Sequence, residues 1–221
     1  MKKNNRVVVL LSGNGSNLQA LLNQQSSYSY RITGVISNRP DAFGLQRAKQ
    51  ASIPAFAIDH TTYASREKYD QCLIQHIDSF EPDLVVLAGY MRILSAAFVS
   101  HYQHRLINIH PSLLPDYKGL HTHRRVLEDQ RPQHGATVHC VTDKLDDGRI
   151  IIQASLAVMP HDNEESLRCR VQKMEHGIYP MAVDFFTSGR LKVNNEQLNL
   201  DNTPLGQKGY QLYEQQLIDM L

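Results

Sequence analysis

Continuous apolar runs that alternate with helical patterns constrain this chain more than any other feature. Residues 7–11 and 84–87 contain no polar side chain, which is typical of parallel strands covered by helices on both faces. We predict strands at 6–11, 31–36, 54–58, 83–88, 105–109, 134–141 and 149–157, and helices at 16–25, 42–51, 63–80 and 94–101. This order predicts a Rossmann-like α/β fold with a twisted, mainly parallel sheet and helices on both faces.

The pattern changes after residue 130. The last two predicted strands are joined by turn residues, which indicates an antiparallel extension of the sheet. An amphipathic helix follows the segment 162–165, Asp-Asn-Glu-Glu, whose acidic residues suit a helix N-terminus. We expect Pro180 to bend or interrupt this helix. The polar composition beyond Gly189 predicts one domain over 1–190 and a weakly ordered tail over 191–221.

Composition narrows the function classes. The 221 residues are 42% apolar and carry a net charge of +1, which argues against a nucleic-acid binder with a broad basic face. Three widely spaced cysteines and the lack of a membrane-length apolar segment predict a reducing, cytoplasmic location and no membrane contact.

The segment 108–115, Asn-Ile-His-Pro-Ser-Leu-Leu-Pro, carries the strongest chemical signal. Side chains alternate along a strand, so Asn108 and His110 share one face, and Pro111 then ends the ladder. An amide donor and a titratable imidazole at a strand end are suited to polar carbonyl chemistry.

The turn 12–17, Ser-Gly-Asn-Gly-Ser-Asn, lies between the first strand and the first helix. Its two glycines would let the backbone approach an anion at the helix N-terminus. Leu18 occupies the place of the third glycine of the dinucleotide motif, so one phosphate suits the turn better than a pyrophosphate. An ordinary capped turn is the alternative.

Two further segments are candidates for the site. Residues 89–94 follow the fourth strand, where Met91, Ile93 and Leu94 could form a wall for a flat ring or, alternatively, an apolar plug. Residues 143–148 form either a solvated acidic turn or a loop that folds back to His110. In the second case Asp143, Asp146 or Asp147 would favour the charged imidazole.

The eleven histidines do not form a metal-ligand motif of known spacing, and we expect no metal. Ser112 is not in a nucleophile elbow, which argues against a serine hydrolase.

Together these segments resemble the phosphoribosylglycinamide formyltransferase family of purine biosynthesis. The resemblance covers residue 7 to about residue 191 and rests on four motifs in order: 12–17, 87–94, 108–115, and 135–139 continuing through 146–148. It implies the formyltransferase fold and transfer of a formyl group from 10-formyltetrahydrofolate to the primary amine of glycinamide ribonucleotide. It also implies small-molecule substrates and a monomer or weak homodimer.

The resemblance further implies roles for individual residues. Asn108, His110 and Asp146 match the catalytic triad. The other matches are phosphate-binding Gly13, Asn14, Gly15, Ser16, Asn17 and Arg66; substrate-binding Gly89, Pro111, Gln172 and Glu175; and folate-binding Met91, Arg92, Ile93, Leu94, Val141, Thr142, Asp143, Lys144 and Leu145.

The chain departs from the family pattern at Asp116, Lys118, Cys140 and Arg149, which affects loop geometry but removes no reacting group. Methionyl-tRNA formyltransferase and formyltetrahydrofolate deformylase are alternatives of the same fold. We expect neither, because no basic run follows Gly189 and the first strand begins at Arg6. A non-catalytic nucleotide-binding module is an alternative of another class.

Overall fold

The computed structural model describes residues 5–194 and 197–220. Its strands are β1 (Arg6–Leu11), β2 (Arg31–Ser37), β3 (Ala55–Ala57), β4 (Leu84–Leu87), β5 (Leu106–His110), β6 (Gln133–Cys140), β7 (Ile150–Ala157), β8 (Leu191–Asn194), β9 (Gln197–Leu200), β10 (Thr203–Pro204) and β11 (Tyr210–Tyr213). Its helices are α1 (Ser16–Gln24), α2 (Phe43–Gln50), α3 (Arg66–Asp78), α4 (Ala96–His101), α5 (Thr122–Glu128), α6 (Glu164–Thr187) and α7 (Glu214–Met220), with a 3₁₀ turn at His60–Thr62.

Eight strands form the main sheet in the order β11-β7-β6-β5-β4-β1-β2-β3. Strands β5, β4, β1, β2 and β3 are parallel to one another. Strand β6 runs antiparallel to β5, β7 runs antiparallel to β6, and β11 lies parallel to β7. The predicted α/β fold with its antiparallel extension is therefore confirmed.

The central strand β1 is buried on both faces of the sheet. Val7, Val9 and Leu11 pack in one apolar cluster with side chains of α1, α2 and α6. Val8 and Leu10 pack in the other, against α3 and α4. All five side chains are fully buried, which explains why the apolar run has no alternation.

The carboxyl ends of β1 and β4 are tied together through Ser12. Its backbone N–H donates to the Gly89 carbonyl at 3.0 Å. Its hydroxyl accepts from the Met91 N–H at 2.8 Å and donates to Asn38 Oδ1 at 2.5 Å. The two segments that the sequence singled out at this edge are thus held side by side.

Helix α6 crosses the main sheet and carries side chains to the same edge. Asn163 caps it in a capping box with Ser166. The helix continues through Pro180, so of the two predicted outcomes the interruption is wrong, whereas the bend stays a prediction. Residues 177–183 are all buried, and this packing offsets the hydrogen bond that proline cannot donate.

The weakly ordered tail expected from the sequence is not what the structure has in its described part. Strands β8, β9 and β10 form a small antiparallel sheet, and β11 pairs with β7 before α7. Leu212 and Leu217 are 4% and 2% exposed. A few buried leucines thus anchor a largely polar segment, and such sparse anchors give no readable period.

Candidate active site

Strand β5 presents Asn108 and His110 on one face, as the alternation predicted. In the antiparallel pairing with β6, Asn108 lies opposite His139 and His110 lies opposite Thr137. His110 is the last residue of the strand and is 6% exposed. The amide and the imidazole therefore have fixed neighbours on the adjacent strand.

His139 orients the Asn108 amide. Burial lowers the pKa of His139 well below its usual range, so its ring is neutral at pH 7. Its Nδ1 lies 2.9 Å from the Cys140 carbonyl and therefore carries the proton. The free Nε2 accepts from Asn108 Nδ2 at 3.2 Å, which leaves the second N–H of the amide for another acceptor.

The acidic turn folds back to His110. Asp146 Oδ2 lies 3.5 Å from His110 Nδ1, and the two side chains are 9% and 7% exposed. His110 Nε2 lies 2.9 Å from the Tyr117 carbonyl. Both ring nitrogens thus face oxygen acceptors, and one contact must open before His110 can donate to a bound molecule.

Of the three aspartates that the sequence left open, Asp146 is the one beside the imidazole. Asp147 instead pairs with Lys118, whereas Asp143 is exposed. Asp146 has a positive φ of 47° and accepts from the Gly119 N–H at 2.9 Å. The turn therefore holds this carboxylate inward by backbone conformation and by the facing segment.

Gly148 makes this close return possible. A Cβ at Gly148 would lie 1.7 Å from the Cys140 carbonyl oxygen, far inside contact distance. Only glycine lets the turn pass the end of β6 this closely.

The glycine turn lies at the start of α1. Gly15 is the N-cap with φ of 76°, and the helix has neither a side-chain cap nor an acidic residue in its first turn. Its first N–H groups are therefore free of a side-chain cap, which is the arrangement that attracts an anion.

Helix α6 closes this end of the site. Gln172 Nε2 donates to Ser16 Oγ at 2.9 Å, and Asn17 Nδ2 donates to Glu175 Oε2 at 2.9 Å. Burial raises the pKa of Glu175 to about 7, although the bond from Asn17 acts in the opposite direction. The structure thus brings two predicted substrate residues to the predicted phosphate turn.

A cavity of about 320 Å³ opens beside Asn108 and Asp146. Its wall includes apolar Leu87, Val99 and Val141, and Asn108 and Asp146 lie in its lining. The predicted folate residues in the lining are Arg92, Ile93, Leu94, Val141, Thr142, Asp143, Lys144 and Leu145. Arg92 Nε is buried without a hydrogen-bond partner among the described residues, so a polar ligand edge would satisfy it.

Comparison with known proteins places this geometry in a family. The family profile described as formyl transferase matches residues 5–183. The chain is 51% identical to the phosphoribosylglycinamide formyltransferase of Escherichia coli (strain K12), over 92% of this chain and 97% of that protein. The chain belongs to the phosphoribosylglycinamide formyltransferase family.

Solved structures of this family have the same fold. The phosphoribosylglycinamide formyltransferase from Coxiella burnetii superposes with a TM-score of 0.91 at 49% identity, over 94% of this chain and 99% of that one. The chain also matches 15% of the trifunctional purine biosynthetic protein adenosine-3 of Drosophila melanogaster, at 45% identity over 88% of its own length. The chain is thus an enzyme of the formyltransferase group.

Three predicted site residues have surroundings that do not test the roles expected of them. Met91 is 67% exposed and is absent from the lining of the 320 Å³ cavity. Arg66 lies at the first residue of α3, with its guanidinium 3.4 Å from Glu67. Pro111 serves to end β5 next to His110. Their assignments stay predictions.

Sequence reasoning missed two contributors on β6. His139 orients Asn108, and Thr137 Oγ1 donates to the Ser112 carbonyl at 2.6 Å and accepts from the Leu114 N–H at 3.1 Å. The alternation of Gly135, Thr137 and His139 on one face was the available signal.

Residues 5–194 and 197–220 contain neither a metal-binding cluster nor a membrane-spanning helix. No group of three or more histidine, cysteine, aspartate or glutamate side chains there could hold a metal ion. Likewise, none of the helices in this part of the chain is long and apolar enough to cross a bilayer.

Proposed function

We propose that the chain transfers the formyl group of 10-formyltetrahydrofolate directly to the primary amine of glycinamide ribonucleotide. One observation carries the proposal: Asn108 and Asp146 line the same apolar-walled cavity as Ile93 and Leu94. A flat ring in that cavity would bring its reactive substituent to the polar end. The names of the full-length relatives support this choice of substrates.

Asn108 and His110 act on the formyl oxygen. Bound 10-formyltetrahydrofolate would supply the formyl carbon that the amine attacks. The free N–H of Asn108 donates to the oxygen as negative charge develops on it, and protonated His110 donates once the Tyr117 carbonyl moves away. Donors fixed before the reaction lower the barrier because they need no reorganisation.

Asp146 supports the charge on His110 and handles protons. The amine gains a positive charge when it attacks, so one proton must leave it. The folate nitrogen must gain a proton as its bond to the formyl carbon breaks. A carboxylate beside the imidazole is placed to relay this proton, directly or through water.

The phosphate of glycinamide ribonucleotide would bind at the N-terminus of α1, on residues 13–17. Arg66 is proposed as a further phosphate contact, with Gly89 and Pro111 beside the substrate. Gln172 and Glu175, held against Ser16 and Asn17, would contact the remainder of the substrate. A single phosphate suits the one glycine turn.

The proposal includes the setting of the enzyme. We infer that the enzyme is cytoplasmic, acts on small molecules and binds no nucleic acid. We also infer that it is a monomer or weak homodimer. The net charge of +1 supports the absence of a nucleic-acid face.

A formyl-transfer assay with purified chain tests the proposal. The expected result is formation of formylglycinamide ribonucleotide at a rate that depends on both substrates, with slow release of formate when the amine is omitted. Equal formate release with and without the amine would identify a deformylase and contradict the proposal. A folate analogue that fails to bind in calorimetry would favour a nucleotide-binding module.

A further inference from the structure

Arg47 on α2 donates hydrogen bonds to the glycine turn, residues 12–17, and to α1. Its Nε donates to the Asn14 carbonyl at 2.9 Å, and its Nη2 donates to Asn14 Oδ1 at 3.0 Å. Its Nη1 donates to Gln19 Oε1 at 3.1 Å, in the first turn of α1. The guanidinium thus joins the turn to the helix that the turn begins.

A contact between two glycines brings α2 close enough for Arg47 to make these hydrogen bonds. A Cβ at Gly15 would lie 2.6 Å from the Gly44 Cα. The Gly44 N–H donates to the Gly13 carbonyl at 3.0 Å. Phe43 supports the arginine from the other side, with its ring centroid 4.9 Å from the Arg47 Cζ. Helix α2 therefore acts as a backing for the turn.

We propose that Arg47 is a positioning residue for the substrate phosphate, acting through Asn14 and Gln19. The inference rests on the proposed function, in which residues 13–17 bind that phosphate. All three guanidinium nitrogens already have acceptors on the turn or on α1, so the side chain works on the turn and not on the ligand.

The physical reason is preorganisation. A turn with two glycines loses much conformational freedom when it closes on an anion. Asn14 is exposed, so little packing holds it in place. The forked hydrogen bonds hold both the carbonyl and the side chain of Asn14, so less ordering of the turn remains to be done when a phosphate binds.

The test compares Arg47→Met and Arg47→Lys with Lys49→Met. Lys49 is an exposed cation in the last turn of the same helix, so its variant removes the same charge without touching the turn. For each enzyme, KM and kcat are measured with glycinamide ribonucleotide, with its phosphate-free riboside, and with the folate.

We expect Arg47→Met to raise KM for the ribonucleotide about tenfold while kcat stays within about twofold. KM for the riboside and for the folate should be unchanged, because neither uses the phosphate turn. Arg47→Lys should fall between Met and wild type, since an ammonium cannot make the forked contact. Lys49→Met should match wild type.

An equal rise in KM for the riboside would show a general structural defect and overturn the inference, as would an unchanged KM for the ribonucleotide. A second variant, Asn14→Ala, keeps the inference testable if Arg47→Met does not fold. The double variant with Arg47→Lys should raise KM for the ribonucleotide by less than the product of the two single effects, because both changes act on the same contact. Full additivity would contradict a contact between Arg47 and Asn14 that positions the turn. If the wild type itself transfers no formyl group, the proposed function fails instead.

Discussion

At the scale of single residues, the site depends on side chains whose protonation or orientation burial has set. His139 is neutral and fixes Asn108, whereas Glu175 is a carboxyl group whose pKa burial raises to about 7. His110 faces an acceptor with each ring nitrogen. Each of these states can be changed by one substitution.

Replacing Asn108 with Ala should remove a donor to the developing oxyanion. Turnover should fall by about 100-fold, with KM for both substrates little changed, because the donor acts mainly in the transition state. Asn108→Asp should lose at least as much, since it places a negative charge beside the oxygen. Steady-state kinetics check this, and turnover within about threefold of wild type for the Ala variant would contradict it.

Glu175 should make stability fall as pH rises. Its folded pKa of about 7 lies above the ordinary value of 4.5, so the neutral form is favoured in the folded state. Its contribution is complete below about pH 4.5 and is lost as pH rises through 7.

Urea unfolding of wild type and Glu175→Gln at pH 5 and pH 8 measures the effect. Relative to wild type, Glu175→Gln should gain free energy of unfolding between the two pH values, on the order of 3 kcal/mol. The exposed Glu165→Gln is the control and should show no such gain. A constant difference between Glu175→Gln and wild type would show that the buried carboxyl does not titrate this way.

At the scale of elements, the loop that carries Asp146 has few apolar anchors. Leu145 is 59% exposed, and the inward hold comes from the Gly119 N–H and the ion pair of Asp147 with Lys118. Both contacts belong to the segment that also covers His110 through the Tyr117 carbonyl. The two segments therefore order each other.

We predict that residues 142–148 gain protection from hydrogen exchange when a folate analogue binds. The loop lines the cavity with Thr142 to Asp146, and a bound ring would supply the apolar contact that it lacks. Amides of β4 serve as the control and should exchange equally slowly in both states. Strong, equal protection of 142–148 with and without the analogue would refute the ordering and leave the catalytic assignment intact.

At the scale of the whole molecule, the tail belongs to the folded domain. Strand β11 extends the main sheet beside β7, and Leu217 of α7 packs against Gly177 of α6. Helix α6 in turn carries Gln172 and Glu175 to the site. The stability of the site is thus linked to the last residues described.

Leu217→Ala should destabilise the fold by about 2–5 kcal/mol, because it empties a site at a buried helix contact. The exposed neighbour Ile218→Ala should cost far less. Urea denaturation measures the free energy of unfolding of both variants. Equal, small losses of this free energy would show that α7 contributes little to the stability of the folded domain.

The extent of sequence-based prediction follows from how local each signal is. Strands β1 and β4 are predictable because their apolar runs are continuous, and alternation along β5 predicts that Asn108 and His110 share one face. The approach of Asp146 depends on how a hairpin returns, which residue spacing does not encode, and it came from family resemblance. Helix α5 and the elements of the tail were not predicted, because short polar segments with isolated buried apolar residues, such as Val126 in α5 and Leu212 in β11, show no hydrophobic period.

The central claim is that Asn108, His110 and Asp146 form the catalytic centre, and the single-turnover rate of formyl transfer tests it most directly. With both substrates saturating, His110→Ala and Asp146→Asn should each slow transfer by about 100-fold or more. Affinity for glycinamide ribonucleotide, measured by calorimetry, should stay within about threefold of wild type. A single-turnover rate near wild type in Asp146→Asn would contradict the account.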